Sequence, residues 1–287
     1  MKGRVCIVTG ATSGIGRATA EALAATESTL VIHGRDAEKT DRLLADLKLA
    51  SGRADIHRVL ADFSSLEEVA AMAAEVRERF GAVHVLINNA GVLMDHRQLS
   101  RDGFEWTFAV NHLAPFLLTN LLLDLLTDHA PARIATNSSS AMGGGRIDFL
   151  DLQSERGFDG WRAYANTKLA NVLFSNLLAS KLANTGVVSN SFCPGLIDTN
   201  LLTGNSIFGE EGIERLRPAM RAPEEGAVTP VFLATAAEAG DISGQFFLKT
   251  HGHGKTPLEV RWDRAIAERL WSVSRELVEP WLGTAGI

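Results

Sequence analysis

The feature that most constrains the fold is a glycine-rich stretch close to the start of the chain. Residues 5–8 read VCIV and residues 9–16 read TGATSGIG, so a short apolar run leads into three glycines and then into an alanine-rich helical pattern. This order predicts a buried strand, a tight turn and a helix N-terminus, whose free N–H groups attract an anion. The simplest such anion is the pyrophosphate of a dinucleotide, although purely structural turns also use glycine.

Apolar strands alternate with helices along most of the chain. Strands are predicted at residues 5–8, 29–32, 55–60, 83–87, 133–136, 187–192 and 245–248. Helices are predicted at 17–25, 37–49, 65–80, 103–126, 161–182 and 223–236, with Asp36 and Ser64 or Ser65 as caps. Such alternation is typical of an α/β Rossmann fold, a single doubly wound parallel sheet whose strand ends lie along one edge. We expect one domain over residues 1–287.

The region after residue 192 is less regular. Residues 200–222 mix glycine, proline and charge, and we interpret them as a substrate flap over the sheet edge. A last amphipathic helix is predicted at 258–278. His251 and His253 stand in a turn without a carboxylate or cysteine at ligand spacing, so a solvated turn is favoured over a metal site.

The composition argues against several classes of partner. Of the 287 residues 46% are hydrophobic, and the formal net charge is −6 without a basic block, which disfavours nucleic acid and anionic membranes. The apolar run at 113–126 is interrupted by Pro115, Asn120 and Asp124, so no membrane anchor is expected. Two separated cysteines and a first strand that begins at once favour a cytoplasmic protein.

Motifs at the predicted strand and helix ends occur in one recognisable order. They are residues 9–16 (TGATSGIG), Asp62, residues 88–91 (NNAG), Asn111, Ser139, residues 164–168 (YANTK) and residues 194–195 (PG). With them the chain resembles the short-chain dehydrogenase/reductase family along nearly its whole length. Residues 109–113 (AVNHL) and 168–174 (KLANVLF) resemble its retinol dehydrogenase-like branch. His84 departs from the pattern, where Asp is common, and we expect it to change local hydrogen bonding.

Four residues are candidates for the chemistry. Tyr164 and Lys168 stand four apart on a predicted helix, hence on one face, a spacing suited to proton transfer. A phenol titrates near pH ~10 in water, and a nearby ammonium with an oxidised nicotinamide would lower that pKa. The resemblance implies that Tyr164 is the general acid or base, that Ser139 hydrogen-bonds the substrate oxygen, and that the Asn111 backbone carbonyl holds a water near Lys168. The structural alternatives are an ordinary surface Tyr–Lys pair and a locally bonded helix asparagine.

The resemblance also implies a nicotinamide cofactor, and the end of the second strand bears on which one. An acidic residue there would bind the ribose hydroxyls of NAD, but the position is Gly34 and Arg35 follows. A guanidinium can bind the 2′-phosphate bidentately, so NADP(H) is predicted, although Ser13 stands where many NADP-preferring relatives carry a second basic residue. The implied cofactor site comprises Gly10, Thr12, Ser13, Gly14, Ile15, Gly16, Arg35, Asp62, Phe63, Asn89, Ala90, Gly91, Tyr164, Lys168, Pro194, Gly195, Ile197 and Thr199.

The implied reaction is hydride transfer between the nicotinamide and a carbonyl or alcohol carbon, with reduction of a lipophilic ketone or aldehyde favoured. Apolar side chains either line the substrate pocket or pack the flap on the core; they are Leu93, Met94, Met142, Leu201, Leu202, Ile207, Phe208, Leu216 and Met220. A catalytically silent NADP(H)-binding scaffold or redox sensor is the alternative, which the complete Ser139–Tyr164–Lys168 set disfavours. The short region after the last strand disfavours a sugar epimerase or dehydratase. A homodimer through the helices at 113–126 and 164–181 and a monomer both stay open.

Overall fold

The computed structural model, which describes residues 1–283 and 286, contains a mostly parallel sheet. Its strands are β1 (Val5–Val8), β2 (Thr29–Gly34), β3 (Ile56–Leu60), β4 (Val85–Asn88), β5 (Ala132–Asn137), β6 (Val187–Cys193), β7 (Phe246–Leu248) and β8 (Pro257–Leu258). Their order across the sheet is β3-β2-β1-β4-β5-β6-β7-β8, and β8 alone pairs antiparallel, with β7. The doubly wound parallel sheet predicted from the sequence is thereby confirmed.

Helices cover both faces of this sheet. They are α1 (Gly14–Ala24), α2 (Ala37–Ser51), α3 (Leu66–Phe80), α4 (Trp106–Phe108), α5 (Ala114–Leu121), α6 (Leu123–Thr127), α7 (Gly160–Lys181), α8 (Asn200–Thr203), α9 (Gly209–Leu216), α10 (Pro223–Thr235) and α11 (Arg264–Leu282). The predicted caps are present, since Asp36 accepts a hydrogen bond from the N–H of Lys39 and Ser65, rather than Ser64, accepts one from Glu68.

Strand β1 shows how the sequence divides the core between the two faces. Val5 and Ile7 join the apolar cluster under α3, α5, α7 and α11, whereas Cys6 and Val8 join the cluster under α1, α2 and α10. Because successive strand residues point to opposite faces, a continuous apolar run is what a strand buried on both sides requires. The sheet is therefore the middle layer between two sets of helices.

The prediction of one long helix at 103–126 is wrong in detail. The structure divides this segment into α4, a π-helix (Ala109–Leu113), α5 and α6. Pro115 explains the break: it has no N–H to donate to the carbonyl of Asn111, four residues earlier, so the α-helical pattern cannot continue across it. π-turns of this kind are frequent at functional sites.

The C-terminal part also differs from the prediction. The last helix begins at Arg264 rather than Leu258. Leu258 belongs instead to β8, a strand the sequence did not predict, and pairs there with Phe246 of β7. The turn predicted at 251–254 is a short 3₁₀-helix (Gly252–Gly254). The predicted flap at 200–222 contains α8, α9 and two 3₁₀ turns, so it is more regular than its composition indicates.

Candidate active site

The carboxyl ends of the parallel strands bring the sequence motifs to one edge of the sheet. β1 ends before Thr9, β4 before Asn89, β5 before Ser138 and β6 before Pro194. Neighbouring parallel strands run in the same direction, so the residues that follow them lie side by side at this edge, where ligands bind in open α/β sheets. The predicted cofactor and catalytic residues therefore lie at one edge although they span most of the chain.

The turn between β1 and α1 has no space for a side chain at Gly10 or Gly16. Gly10 has a φ of +64°, and an added Cβ there would lie 2.8 Å from the Cα of Ala90. An added Cβ at Gly16 would lie 2.1 Å from the carbonyl oxygen of Gly10. Within the described residues, Ser13 makes no side-chain cap for α1, and the first turn of that helix carries no acidic side chain. Its N–H groups are therefore open to an anion, which fits a dinucleotide pyrophosphate.

Thr9 and Asn89 tie this turn to the ends of β4 and β5. The buried Thr9 hydroxyl donates to the carbonyl of Ile87 at 3.2 Å and accepts from the N–H groups of Asn89 at 2.9 Å and Ala90 at 3.1 Å. The Asn89 amide donates to the carbonyl of Thr9 at 3.0 Å, and its oxygen accepts from the Asn137 amide at 3.2 Å. Sequence reasoning singled out Asn89 but not Thr9, which uses its full hydrogen-bonding capacity here.

His33 anchors the glycine turn to the ends of β2 and β3, and the sequence did not single it out. Its Nδ1 accepts the N–H of Gly10 at 3.1 Å, so the proton lies on Nε2, which donates to the carbonyl of Ala61 at 3.0 Å. The ring is buried, stacks on Phe63 at 4.3 Å between centroids, and burial lowers the pKa of His33 to about 4. A neutral imidazole therefore braces the predicted cofactor site.

The end of β2 is too crowded for a side chain at position 34. An added Cβ at Gly34 would lie 2.3 Å from the hydroxyl oxygen of Thr40 and 2.6 Å from the methyl carbon of Thr12. Arg35, the next residue, is exposed, and Asp36 is engaged as the cap of α2. An acidic side chain could enter at position 34 only by displacing both threonines, whereas a guanidinium is available one residue later.

Asp62 lies just after β3 and is held by its surroundings. Its Oδ1 accepts the N–H of Ser64 at 2.9 Å, and its Oδ2 lies 3.6 Å from the Arg101 guanidinium. Arg101 also pairs with Glu68, whose Oε2 accepts the N–H of Asp62 at 2.7 Å. Arg101 and Glu68, which the sequence did not suggest, therefore flank Asp62, one of the predicted cofactor residues.

The loop after β6 contacts the start of α1. The Thr199 methyl carbon would lie 2.9 Å from a Cβ added at Gly14. Ile15 and Ile197 would both lie 2.9 Å from a Cβ added at Gly226, the point where α10 meets this loop. The predicted cofactor residues of the loop are Pro194, Gly195, Ile197 and Thr199. The structure brings Thr199 against Gly14 of the glycine turn and places Ile197 and Ile15 against the same point of α10.

Helix α7 presents Tyr164 and Lys168 to the end of β5. Both side chains are buried, at 8% and 2% exposed. The Lys168 Nζ donates to the carbonyl of Asn137 at 3.3 Å and lies 5.2 Å from the centroid of the Tyr164 ring. Ser139 is the second residue after β5, and hydrogen bonding from its side chain is one of the influences on the Tyr164 phenol. The three residues that the sequence grouped for proton transfer are therefore neighbours.

The run of three serines is distinguished by what each side chain contacts. Ser138 is buried, and its hydroxyl donates to the carbonyl of Lys168 at 2.7 Å. Ser140 is exposed and begins a 3₁₀-helix. Ser139 accepts the N–H of Ala141 at 3.2 Å and contacts Tyr164. Of the three, Ser139 has the geometry for a role beside the phenol.

Burial shifts the pKa values of the tyrosine and the lysine in opposite directions. It raises the pKa of Tyr164 far above the usual phenol value, with a contribution from Cys193, while the hydrogen bond with Ser139 lowers it. It lowers the pKa of Lys168 to about 8. In both cases the low-polarity surroundings disfavour the charged form. The lowered Tyr164 pKa expected from the sequence is therefore not found in the protein alone and requires further positive charge beside the phenol.

Asn111 lies in the π-helix and is fixed through its side chain. Its Oδ1 accepts the N–H of Val92 at 2.7 Å, while its Nδ2 donates to the carbonyl of Val92 at 2.9 Å and to the Thr167 hydroxyl at 3.1 Å. A Cβ added at Gly91 would lie 3.3 Å from the Asn111 Oδ1 and 3.5 Å from the Lys168 Nζ. Gly91 thus allows the asparagine and the lysine to approach the same point.

Comparison with known proteins accounts for this arrangement. A family model described as short chain dehydrogenase matches residues 4–207. The chain belongs to the short-chain dehydrogenase/reductase family. It therefore has the role of a dehydrogenase or reductase and takes a nicotinamide cofactor, which the glycine turn and the uncapped start of α1 fit.

Three similar proteins illustrate the relationship. Human retinol dehydrogenase 13 is 38% identical over 284 residues, covering 96% of this chain and 85% of that protein. A crystal structure from Mycobacterium paratuberculosis is 29% identical with a TM-score of 0.77 and covers 97% of this chain and 94% of that one. A short chain dehydrogenase from Burkholderia cenocepacia in complex with NADP is 25% identical, with a TM-score of 0.70 and coverages of 86% and 96%. The first similarity confirms the predicted retinol dehydrogenase-like branch.

An aromatic wall adjoins Tyr164 in this short-chain dehydrogenase/reductase. Trp161 stacks on the Tyr164 ring at 5.6 Å between centroids, and Phe208 contacts Trp161 edge-on at 5.3 Å. Trp161 is 41% exposed, which is unusual for so large an apolar side chain. The sequence suggested Phe208 but not Trp161, although its position three residues before Tyr164 puts the two on one helix face.

The 200–222 segment is attached to the loop after β4 by polar contacts. The Asn205 amide donates to the carbonyl of Leu93 at 2.6 Å, and the Ser206 hydroxyl donates to Asp95 at 2.6 Å. Ile207 would lie 2.8 Å from a Cβ added at Gly160, at the start of α7. These contacts bring the segment beside the aromatic wall.

Among the described residues, we found no helix that combines the length and apolarity needed to cross a membrane.

Finally, His84 has the local effect expected of it. It precedes β4, and its Nδ1 accepts the N–H of Val5 at 3.1 Å, where an aspartate is common in the family. Burial, aided by the charge of Arg4, lowers the pKa of His84. The substitution therefore preserves an acceptor for β1 in neutral form, far from the carboxyl edge.

Proposed function

We propose that this short-chain dehydrogenase/reductase uses NADP(H) and reduces a lipophilic ketone or aldehyde. The observation that carries the proposal is the convergence of Tyr164, Lys168 and Ser139 at the carboxyl edge that also holds the glycine turn. A proton donor, a cation that tunes it and a second hydroxyl donor are what carbonyl reduction requires of the protein.

Each side chain has a defined part in the proposed reaction. A bound nicotinamide cofactor supplies hydride in reduction and accepts it in oxidation. The Tyr164 hydroxyl donates its proton to the substrate oxygen, and the Ser139 hydroxyl donates a hydrogen bond that stabilises negative charge on that oxygen. The Lys168 Nζ lies 5.2 Å from the centroid of the phenol ring, and its positive charge when protonated is proposed to favour the phenolate form. The Asn111 carbonyl receives no hydrogen bond from Pro115, which has no N–H. We propose that this carbonyl holds a water near Lys168, through which a proton returns to Tyr164.

The preference for NADP(H) is supported at the end of β2. The crowding at Gly34 disfavours the acidic side chain that would bind a free ribose, and the exposed Arg35 guanidinium suits a 2′-phosphate. The Burkholderia relative was solved in complex with NADP, which is consistent with this choice. The remaining cofactor contacts are proposed to follow the predicted set, with Asp62 at the adenine and Asn89 at the ribose.

The substrate is proposed to be lipophilic because the space beside Tyr164 is walled by aromatic and aliphatic side chains. Trp161 of α7 and Phe208 of the flap form one wall, and Ile207 of the flap lies beside it at the start of α7. Apolar surface of this kind binds substrates by burial rather than by specific charge. The similarity to a protein named retinol dehydrogenase 13 points the same way.

The direct test is NADPH consumption against a panel of lipophilic ketones and aldehydes, with NADH as the comparison cofactor. We expect turnover that prefers NADPH. Tyr164→Phe should abolish it, by about a thousandfold or more, while the NADPH dissociation constant changes little, because the phenol hydroxyl acts mainly in the transition state. Near wild-type kcat in Tyr164→Phe would remove the proton-donor assignment. NADPH binding without turnover of any carbonyl would instead favour a binding scaffold.

A further inference from the structure

A chain of buried polar side chains runs from the C-terminal helix to the catalytic lysine. The Ser274 hydroxyl on α11 lies 2.8 Å from the His112 Nε2, and the His112 Nδ1 lies 3.4 Å from the Asn171 Oδ1. The Asn171 Nδ2 donates to the carbonyl of Asn137 at 3.0 Å, and the same oxygen accepts from the Lys168 Nζ at 3.3 Å. Ser274, His112 and Asn171 are each at most 2% exposed.

The direction of every hydrogen bond in this chain follows from its inner end. Because the Asn171 nitrogen donates to a carbonyl, its oxygen faces His112 and can only accept. The His112 proton is therefore on Nδ1, and Nε2 accepts from the Ser274 hydroxyl. Burial lowers the pKa of His112 to about 4, which keeps the ring in this neutral form.

We propose that Ser274, His112 and Asn171 are positioning residues that set the location of the Lys168 ammonium beside Tyr164, through the carbonyl oxygen of Asn137. This inference rests on the roles proposed above for Tyr164 and Lys168. A carbonyl oxygen has two lone pairs, and Asn171 occupies one, which leaves one for the lysine. When His112 no longer binds the Asn171 side chain, Asn171 can stop donating to the Asn137 oxygen. The Lys168 ammonium can then move toward that oxygen and away from the phenol.

The packing around His112 limits this hydrogen-bonded path to Ser274, His112 and Asn171. His112 packs between aromatic rings, stacked on Phe108 at 5.3 Å and tilted against Phe116 at 6.1 Å, while Trp271 of α11 contacts Phe116 edge-on at 5.0 Å. No other polar route from α11 to Lys168 is found within residues 1–283 and 286. Besides Tyr164 and Lys168 themselves, Cys193 is the titratable side chain that acts on both, so it stays unchanged in every test variant.

The sequence contains 1 tyrosine, Tyr164, so the absorbance of a tyrosine phenolate reports on this residue directly. Phenolate formation by this residue is measured from ultraviolet absorbance against pH, with saturating NADP⁺ and Tyr164→Phe as the blank. His112→Phe keeps an aromatic ring but removes both hydrogen bonds. We expect it to delay phenolate formation by about half a pH unit or more, because the phenolate keeps the proton on Lys168 and this ion pair is weaker when the Lys168 Nζ lies farther from the phenol. We also expect kcat to fall about tenfold with the NADPH dissociation constant within about twofold of wild type.

Two further variants separate positioning from general loss of packing. His112→Asn retains a donor at the place of Nδ1 and should restore most of the phenolate titration and of kcat. Ser175→Ala removes another buried hydroxyl of α7, bonded to Ser189 at 3.1 Å, and should change neither. If His112→Phe does not fold, Ser274→Ala is measured instead, and a smaller shift in the same direction is expected because Nε2 loses its donor.

The outcomes separate this inference from the proposed function. If the wild-type protein reduces no carbonyl, the proposed function is contradicted. The Tyr164 titration still tests the role of Ser274, His112 and Asn171. Phenolate formation in His112→Phe that matches wild type and Ser175→Ala would overturn the inference. Equal impairment in His112→Phe and His112→Asn would do the same, since it would show that ring packing rather than the Nδ1 donor matters.

Discussion

Two buried neutral histidines predict that acid destabilises this protein well above the pH at which its carboxylates titrate. Burial lowers the pKa of His33 and of His112 from 6.5 to about 4. Because the folded pKa is the lower one, the unfolded chain binds more protons as the pH falls through 6.5, and stability is lost progressively until about pH 4. Above 6.5 both forms are neutral, and the two histidines add no pH dependence.

The magnitude follows from the two pKa values. Between about pH 7.5 and about pH 5, a shift from 6.5 to about 4 reduces the free energy of unfolding by about 2 kcal/mol for each histidine. The rings are 3% and 1% exposed, so solvent screening does not diminish this figure. Together they remove about 4 kcal/mol, a large share of the 5–15 kcal/mol or so that is typical of a folded protein.

Urea unfolding at the two pH values, followed by tryptophan fluorescence, measures this loss. The matched variant is His112→Phe, which keeps a ring between Phe108 and Phe116 but cannot be protonated. The comparison is the pH-dependent difference within each protein, so the cost of the substitution itself cancels. We expect the variant to lose about 2 kcal/mol of the wild-type pH dependence, which is the part that His112 contributes. A variant that retained the full dependence would refute the assignment of His112 as a buried neutral group.

Three further substitutions test the site. Arg35→Asp should reduce the preference for NADPH over NADH by about tenfold or more, whereas Lys39→Asp on α2 should not; unchanged discrimination in Arg35→Asp would contradict the 2′-phosphate role. Gly16→Ala should abolish NADPH binding measured by fluorescence titration, since its Cβ would meet a carbonyl oxygen at 2.1 Å, while Gly143→Ala, with nothing within 4 Å, serves as control. Phe208→Ala should raise KM for a lipophilic ketone several-fold, by about 1 kcal/mol of lost burial, without weakening NADPH binding; weaker NADPH binding would count against a substrate-side role.

The sheet and its functional edge could be predicted because both are encoded locally. A run such as residues 5–8 is apolar on both faces, and the glycines that follow it are needed at the turn itself. The Tyr164–Lys168 pair needs only the four-residue spacing of one helix. Each of these signals lies within a few residues, so a single sequence contains all of it.

The π-helix has a local signal in the sequence, which is Pro115. This proline interrupts the apolar run at 113–126, and its missing N–H also leaves the carbonyl of Asn111 without its α-helical donor. A proline inside a predicted helix therefore predicts a local irregularity at the carbonyl four residues before it. The later start of α11 had no such local signal, because Leu258 is drawn into β8 by pairing with Phe246.

The contacts that sequence reasoning missed are those between residues far apart in the chain. His33 meets Gly10 across 23 positions, and Ser274 meets His112 across 162. A lone histidine after a strand and a lone serine in a helix have many structural uses, so their identity alone does not predict a partner. Only the register of the sheet and the packing of α11 determine which groups they meet.

These long-range contacts give the two halves of the site different mechanical properties. The cofactor side is braced by Thr9, His33 and Asn89, each bonded to backbone groups of neighbouring strands, so its shape is fixed before a ligand arrives and little binding energy is spent in ordering it. The proposed substrate side is attached through Asn205 and Ser206 at a short 3₁₀ turn, which we expect to rearrange at smaller cost. Cofactor choice should therefore respond to single changes at the end of β2, while substrate range should respond to changes in the 200–222 segment that leave cofactor affinity intact.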